Sequence, residues 1–187
     1  MTPTHEFRFR AERLCLDFCA TVVGRDRQSV DQLSAADDAG RWVTAAGLVP
    51  AATVTDLGDV HRVRESVHRL LRAHLSGAEP RSSDMDVVNA AAAAPPAQPR
   101  LAPTGSVTWA AADPVAAALS AIARDAIDLL SGPLAGRIRE CGSGECGYLF
   151  ADTSRAGNRR WCSTAVCGNR ENVRSHRIRA NHPQEND

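Results

Sequence analysis

The stretch Cys141-Gly-Ser-Gly-Glu-Cys146, followed 15 residues later by Cys162-Ser-Thr-Ala-Val-Cys167, decides how the C-terminal part of this chain folds. Each cysteine pair is spaced C-x4-C, and two such pairs commonly supply the four ligands of one tetrahedral zinc ion. We therefore predict one structural Zn2+ held by Cys141, Cys146, Cys162 and Cys167. Four thiolate ligands leave no open position for a catalytic water.

The segment that carries these cysteines has few other means to fold. Its larger apolar side chains are Ile138, Tyr148, Leu149, Phe150, Trp161, Val166, Val173 and Ile178. So short a segment buries too little surface to offset its chain entropy, whereas a structural zinc site supplies about 10–16 kcal/mol. The order of a cysteine knuckle, a short strand, a turn and a helix after the last ligand predicts a treble-clef-like zinc finger.

The chain upstream of the finger shows helical periodicity. Apolar residues recur mostly at steps of three and four from Leu57 to Leu75, after a helix start at Thr55 or Asp56, and again after the helix start Asp113-Pro114. Ser83 is predicted to cap a further helix, residues 101–110 to form a hairpin turning at Thr104-Gly105, and residues 7–10 to form a short strand.

We accordingly predict a mainly α fold with short β-hairpins. Residues 1–135 form a helical N-terminal domain, residues 136–180 the zinc finger and residues 181–187 a flexible tail. Cys15 and Cys19 share a helix face four residues apart and are interpreted as small buried apolar residues.

The charge of the chain is divided unevenly, although its formal net charge is zero. Residues 137–179 hold nine arginines against four acids, a charge of +5, whereas residues 1–136 hold 13 arginines against 16 acids, a charge of −3. All 22 basic residues are arginine. The absence of lysine excludes Schiff-base catalysis and P-loop nucleotide binding, and arginine suits bidentate contacts to phosphates.

Six arginines of the finger are candidate contacts to a DNA backbone. Arg170, Arg174 and Arg177 lie at i, i+4 and i+7 on one helix face, and the zinc would bring Arg155, Arg159 and Arg160 of the preceding loop close to them. The alternative is a solvated and partly salt-bridged helix face.

The sequence around the last ligand, Cys167-Gly-Asn-Arg170, resembles the CGNR zinc finger proteins. Leu149-Phe150, Asp152, Ser154 and the run Arg159-Arg-Trp-Cys162 recur in that family in the same order. The upstream chain is similar to the partner ABATE domain, through residues 14–21, Asp31-Gln-Leu33 and residues 42–48. Two positions depart from the family pattern: Ala20 replaces an asparagine, and Glu171-Asn172 stands where a lysine is common.

The resemblance implies a stress-induced transcription regulator of bacteria whose zinc finger binds double-stranded DNA. Within the motif, Asn169 is predicted to start the last helix and Trp161 to pack over the metal hairpin, with base stacking as the lesser alternative. Arg170 either contacts DNA or braces the finger by pairing with Asp152 or Glu145. Asp17, with Thr21, is a candidate for a small-molecule pocket, or else a structural hydrogen-bond acceptor.

Two functions remain open from the sequence. The first is a DNA-binding regulator whose helical domain senses a small-molecule effector or forms a homodimer. The second is a zinc-stabilised protein-interaction or ligand-binding module that does not bind DNA. We do not expect an enzyme, because the deaminase, nucleophile-elbow, zincin and dinucleotide-binding motifs do not occur. No apolar run reaches the length of a membrane span, and we expect a cytoplasmic protein with reduced cysteines.

Overall fold

The computed structural model describes residues 7–25, 28–144 and 146–181, with side chains through Arg177. Its α-helices are α1 (Leu14–Cys19), α2 (Ala36–Ala45), α3 (Gly58–Ser76), α4 (Ser82–Ala93), α5 (Pro114–Ser131) and α6 (Asn169–Asn181). Three antiparallel two-stranded sheets pair β1 (Val22–Val23) with β2 (Val30–Asp31), β3 (Gln98–Leu101) with β4 (Val107–Ala110), and β5 (Ile138–Glu140) with β6 (Leu149–Ala151). The predicted fold class, helical with short hairpins and a treble-clef-like finger, is confirmed.

The two long helices form where the apolar stripes predicted them. On α3 the side chains of Val60, Val63 and Val67 are buried, and the helix ends at Gly77, whose φ of 69° is the left-handed conformation that glycine adopts without strain. On α5 the carboxylate of Asp113 accepts hydrogen bonds from the N–H groups of Val115 and Ala116 at 3.0 Å. Pro114 follows this cap at the first helical position.

Four local predictions need correction. The N-cap position of α3 is Leu57 and not Thr55 or Asp56, although the carboxylate of Asp56 accepts a hydrogen bond from the N–H of Gly58 at 2.8 Å. Residues 7–10 form no strand, because the N–H groups of Arg10 and Ala11 bind the carboxylate of Asp17 instead of a partner strand. Ser83 lies inside α4, whose N-cap position is occupied by Arg81. The β3–β4 hairpin turns at Gly105, as predicted, but its first strand begins earlier and ends at Leu101.

Helix α1 lies at the centre of the helical domain, packed against α3 and α5. Phe18 of α1 stacks on Trp42 of α2 with ring centroids 5.0 Å apart, and both side chains are almost fully buried. Cys15 and Cys19 are buried in the same core, as expected of small apolar residues.

The zinc finger segment packs onto the helical domain through a shared core. Ile138, Phe150 and Ala151 of the β5–β6 hairpin are fully buried and belong to the same apolar cluster as α1, α3 and α5. The N–H of Ala151 donates to the carbonyl oxygen of Ala11 at 3.0 Å. At the surface, Arg72 of α3 forms an ion pair with Glu140 of β5 at 2.6 Å. Folding of the finger is therefore coupled to folding of the helices.

None of the helices in the described residues is both long and apolar enough to cross a lipid bilayer. The tail predicted at residues 181–187 lies, beyond Asn181, outside the described residues.

Candidate metal centre

The four predicted ligands come from two separate turns of the finger. Cys141 follows β5 and Cys146 precedes β6, so the first pair closes the β5–β6 hairpin. The N–H of Cys141 donates to the carbonyl oxygen of Tyr148 at 2.8 Å. In the second pair, Cys162 ends an extended segment and Cys167 lies in a single π-helical turn, Thr164–Gly168, which runs directly into α6.

The sulfur atoms are arranged as a tetrahedral ion requires. The Sγ of Cys162 lies 3.7 Å from that of Cys146 and 3.6 Å from that of Cys167, and the Cys146–Cys167 separation is also 3.6 Å. All four Sγ atoms, including that of Cys141, lie within 4.8 Å of one another. A tetrahedron with Zn–S bonds of about 2.3 Å has sulfur atoms roughly 3.8 Å apart. The cysteines therefore fit one structural Zn2+.

The sulfurs differ in how readily they become thiolates, the form that binds metal. Hydrogen bonding from the Cys162 thiol lowers the pKa of Cys146 to about 5 despite its partial burial. Hydrogen bonding to Cys146 raises the pKa of Cys162, and burial raises the pKa of Cys167 to about 11, so the metal ion must displace these two protons. The backbone N–H of Cys162 points at the Sγ of Cys141, 3.4 Å away. Such N–H groups stabilise sulfur-bound negative charge and hold the ligands in place.

Trp161 packs over the metal hairpin, as predicted. A Cβ built on Gly142 would lie 3.1 Å from the indole ring atom Cζ3, and one built on Gly168 would lie 3.1 Å from Cδ1. The indole thus lies between the backbones of the two turns that carry the ligands. The guanidinium of Arg160 covers the ring at 4.9 Å from its centroid. The glycine of the CGNR motif is explained by this close approach.

Replacing Gly168 by alanine is expected to destabilise the protein by about 1–3 kcal/mol, because the added methyl group meets Trp161 at a distance that requires the ring to move. Urea denaturation of the zinc-loaded protein would measure the loss. Gly144→Ala is the matched control, since its Cβ would meet no atom within 4 Å. Equal stability of the two variants would contradict the proposed role of Gly168.

Asp152 organises the loop that leads back to the second cysteine pair. Its buried carboxylate accepts hydrogen bonds from the N–H of Ser154 at 3.0 Å and from the N–H of Arg159 at 2.9 Å. The hydrogen bonds from Ser154 and Arg159 lower the pKa of Asp152 below its usual range. Asp152 is thus bound by backbone groups of its own loop, while Glu145, the other predicted partner of Arg170, lies outside the described residues.

Arg159, one of the six predicted DNA contacts, has a structural role. Its guanidinium stacks on the ring of Phe150 at 5.0 Å, donates to the carbonyl oxygens of Trp161 and Cys162, and forms an ion pair with Glu12 at 3.1 Å. Through these contacts the side chain joins the finger to the helical domain. Sequence patterns could not separate it from Arg160, because the two are neighbours of one type.

The other five predicted arginines are exposed. Arg155 and Arg160 lie on the loop before the second cysteine pair, and Arg174 and Arg177 lie on α6. The guanidinium of Arg174 approaches Glu171 at 3.9 Å, a surface pair with little energetic weight. Arg170 lines a cavity between the finger and the helical domain. Asn169 begins α6, as predicted, and its side-chain amide donates to the carbonyl oxygen of Ala165 at 3.0 Å.

Asp17 and Thr21, the candidate pocket residues, are both buried and bound to other protein atoms. The carboxylate of Asp17 accepts hydrogen bonds from the N–H groups of Arg10 and Ala11 and from the Tyr148 hydroxyl, the last at 2.8 Å. Thr21 donates to the carbonyl oxygen of Phe18 at 2.7 Å. Neither residue lines the cavity beside the metal centre. Asp17 is therefore a structural acceptor that fastens the finger, through Tyr148, to the start of α1.

Comparison with known families agrees with this geometry. The profile of the ABATE family, described as "Putative stress-induced transcription regulator", matches residues 12–133. The profile of the CGNR zinc finger matches residues 137–180. A comparison with curated proteins gave no match.

Proposed function

We propose that this chain, which belongs to the ABATE family and carries a CGNR zinc finger, is a bacterial transcription regulator whose finger binds double-stranded DNA. In this proposal the zinc is structural, the protein acts in the cytoplasm, and its role is regulatory and not catalytic. The family description supports regulation in response to stress. Control by a homodimer or by a small-molecule effector is part of the proposal.

The exposure of α6 is the observation that carries the DNA-binding proposal. Every side chain from residue 172 to residue 177 is exposed, so this part of the helix is in water on all sides. A helix whose side chains from residue 172 to residue 177 are all exposed requires support from elsewhere, and the zinc turn at its first residue supplies it. Such a helix is held out from the protein and is free to meet a partner.

The charge of the finger supports nucleic acid as that partner. Arg174 and Arg177 project from α6, and Arg155 and Arg160 project from the loop that the zinc ties to its base. Guanidinium groups bind phosphates by paired hydrogen bonds, and each phosphate that they neutralise releases condensed counterions. The helical domain, whose net charge is −3, contributes no surplus of positive charge.

The salt dependence of binding provides the test. If these four arginines contact phosphates, the logarithm of the binding constant is expected to fall with the logarithm of salt concentration at a slope of about −3.6. Fluorescence anisotropy with labelled fragments of the host genome measures the slope. The double variant Arg174→Gln, Arg177→Gln should reduce its magnitude by about 1.8.

Arg81→Gln, Arg100→Gln is the matched control, because both arginines are exposed and lie in the helical domain. It should bind DNA as the native protein does. The proposal fails if zinc-loaded protein binds no fragment at about 50 mM salt, or if both double variants lose affinity equally.

An interaction module that does not bind DNA is the second candidate, favoured by the β3–β4 hairpin. Leu101, Val107 and Trp109 expose 79%, 60% and 48% of their surface there, although large apolar side chains are usually covered. Under this candidate, substitution of Trp109 by serine would abolish capture of a protein partner through this hairpin, and the zinc-loaded native protein would bind no DNA fragment.

A further inference from the structure

We propose that the cavity beside the metal centre binds a small organic monoanion, a carboxylate with a short apolar body. The cavity has a volume of about 180 Å³ and lies at the junction of the helical domain and the finger. A cavity needs about 10–15 Å³ of such volume to hold one water molecule, so this cavity has room for a compact organic acid.

The cavity adjoins the space that holds the zinc ion and extends beyond it to the helical domain. Three of the ligands, Cys146, Cys162 and Cys167, form one wall, but Cys141 does not line the cavity. The opposite wall comes from the helical domain, where Val23, Arg25 and Gln32 contribute. An ion enclosed by four sulfurs within 4.8 Å of one another leaves this volume unfilled.

The polar lining is cationic. Arg8, Arg10, Arg25 and Arg170 all border the cavity. Within the described residues, the guanidinium groups of Arg8 and Arg10 form no ion pair, whereas most arginines of the helical domain are matched to acids. Two cationic side chains without an acidic side-chain partner in the described residues, at a partly enclosed cavity, favour an anion of low charge there, although the neighbouring zinc centre carries about −2.

Arg25 adds a further positive charge to the cavity wall. Its Nη1 and Nη2 atoms bind the carboxylate of Glu65 at 2.6 and 3.0 Å, so this side chain is fixed in place. Its Nε atom is buried and has no partner among the described residues. A buried N–H group without an acceptor costs free energy. Because solvent does not reach this atom, an anion in the cavity would interact with Arg25 through its charge and not through a hydrogen bond to Nε.

The rest of the lining decides between an organic and an inorganic anion. Leu16, Val22, Val23, Leu149 and Val166 contribute apolar surface. Phosphate has no apolar part to cover these side chains. In addition, zinc with four thiolates carries a charge of about −2, which repels a doubly charged anion more strongly than a singly charged one. The lining therefore fits an anion with one charged end and one apolar end.

The position of the site gives it a regulatory consequence, which rests on the proposed function. Arg8, Arg10 and Arg25 belong to the helical domain, whereas Arg170 lies on the first turn of α6. An anion that contacts both sides would link the helical domain to the helix that carries Arg174 and Arg177. A ligand bound there would change DNA affinity only as far as it favours one position of the finger.

Calorimetric titration of the zinc-loaded protein with sodium benzoate, at constant ionic strength and without DNA, tests the site. We expect saturable binding of one benzoate per chain with a dissociation constant of about 1 mM or less, and weaker binding of phosphate. Arg10→Gln should weaken benzoate binding about tenfold, because it removes a charge-assisted contact while the N–H that binds Asp17 remains. The control is Arg81→Gln, which changes an exposed arginine at the N-cap position of α4. This variant should bind benzoate as the native protein does.

The absence of saturable benzoate binding to folded, zinc-loaded protein would overturn the proposal. So would equal affinities of Arg10→Gln, Arg8→Gln and the native protein, or tighter binding of phosphate than of benzoate. Because the titration contains no DNA, a site that binds benzoate in a protein that does not bind DNA would refute the proposed function and leave the cavity assignment intact. If the protein binds both benzoate and DNA, but benzoate leaves the affinity for DNA unchanged, the regulatory link is refuted.

Discussion

Removal of zinc is expected to unfold the helical domain together with the finger, in a single transition. The reason is the shared core: Ile138, Phe150 and Ala151 of the finger hairpin are buried among the side chains of α1, α3 and α5. Without the metal, the hairpin that carries them loses the closure that Cys141 and Cys146 provide. The α1–α5 core then loses its cover and exposes apolar surface to water.

The magnitude of the effect follows from two ranges. A structural zinc site contributes about 10–16 kcal/mol, whereas a domain of this size is stable by about 5–15 kcal/mol in total. The free energy contributed by the metal is therefore about as large as the net free energy of unfolding of the whole chain. We expect that Cys162→Ala, which removes one ligand, leaves most of the protein unfolded at room temperature.

Circular dichroism at 222 nm during titration with a chelator would follow the helices, and tryptophan fluorescence would follow the core around Trp42 and Trp161. Cys15→Ala is the matched control, because Cys15 is as buried as Cys162 but lies outside the metal centre. This substitution should lower the free energy of unfolding by about 1 kcal/mol and leave the zinc content unchanged. Retention of the full helical signal after complete removal of zinc would show that the helical domain folds independently of the finger.

Much of the architecture could be predicted from local patterns. The spacing of the four cysteines fixes the metal site because few other arrangements of a short chain use two C-x4-C pairs. The apolar steps of three and four placed α3 and α5, and Asp113-Pro114 placed the start of α5, because these signals depend on neighbours within one or two turns.

The contacts that join the two parts could not be predicted, because they bring together residues far apart in the sequence. Tyr148 binds Asp17 across 131 positions, and Arg159 reaches Glu12 across 147. Nothing in the local sequence distinguishes Arg159, whose guanidinium binds other protein groups, from Arg160, which is exposed to solvent. The cavity escaped prediction for the same reason, since Arg10, Arg25 and Arg170 meet only in the folded chain.

Disruption of the buried ion pair between Arg64 and Asp31 is expected to have the second largest effect. The side chain of Arg64 is 3% exposed, and its Nη1 and Nη2 atoms donate to the two carboxylate oxygens of Asp31 at 2.7 and 2.6 Å. Nη1 also donates to the hydroxyl of Thr21 at 3.1 Å, which ties α3 to the end of α1. Removing the charge of Asp31 would leave the buried guanidinium with one carboxylate, that of Glu65, 3.0 Å from its Nε atom.

We expect Asp31→Asn to lower the free energy of unfolding by about 3 kcal/mol, the lower end of the range for broken buried pairs. The lower end applies because the side chain of Asp31 is 32% exposed and water screens part of the loss. Asp59→Asn is the control, since the Asp59–Arg62 pair on α3 is exposed on both sides and should contribute at most about 1 kcal/mol. Urea denaturation of both variants measures the difference.

The pH dependence of that difference separates an ion pair from simple loss of packing. Burial raises the pKa of Asp31, but hydrogen bonds from Arg64 and from the N–H of Leu33 outweigh it, and the net pKa lies below the ordinary value of 3.8. The stabilisation is thus complete above 3.8 and is lost as the pH falls through the lower pKa of the folded protein. Native protein and Asp31→Asn should therefore differ by the same amount at about pH 5 and pH 8, since both lie above the ordinary carboxylate range. A difference that changes between about pH 5 and pH 8 would contradict an interaction carried by the Arg64–Asp31 pair.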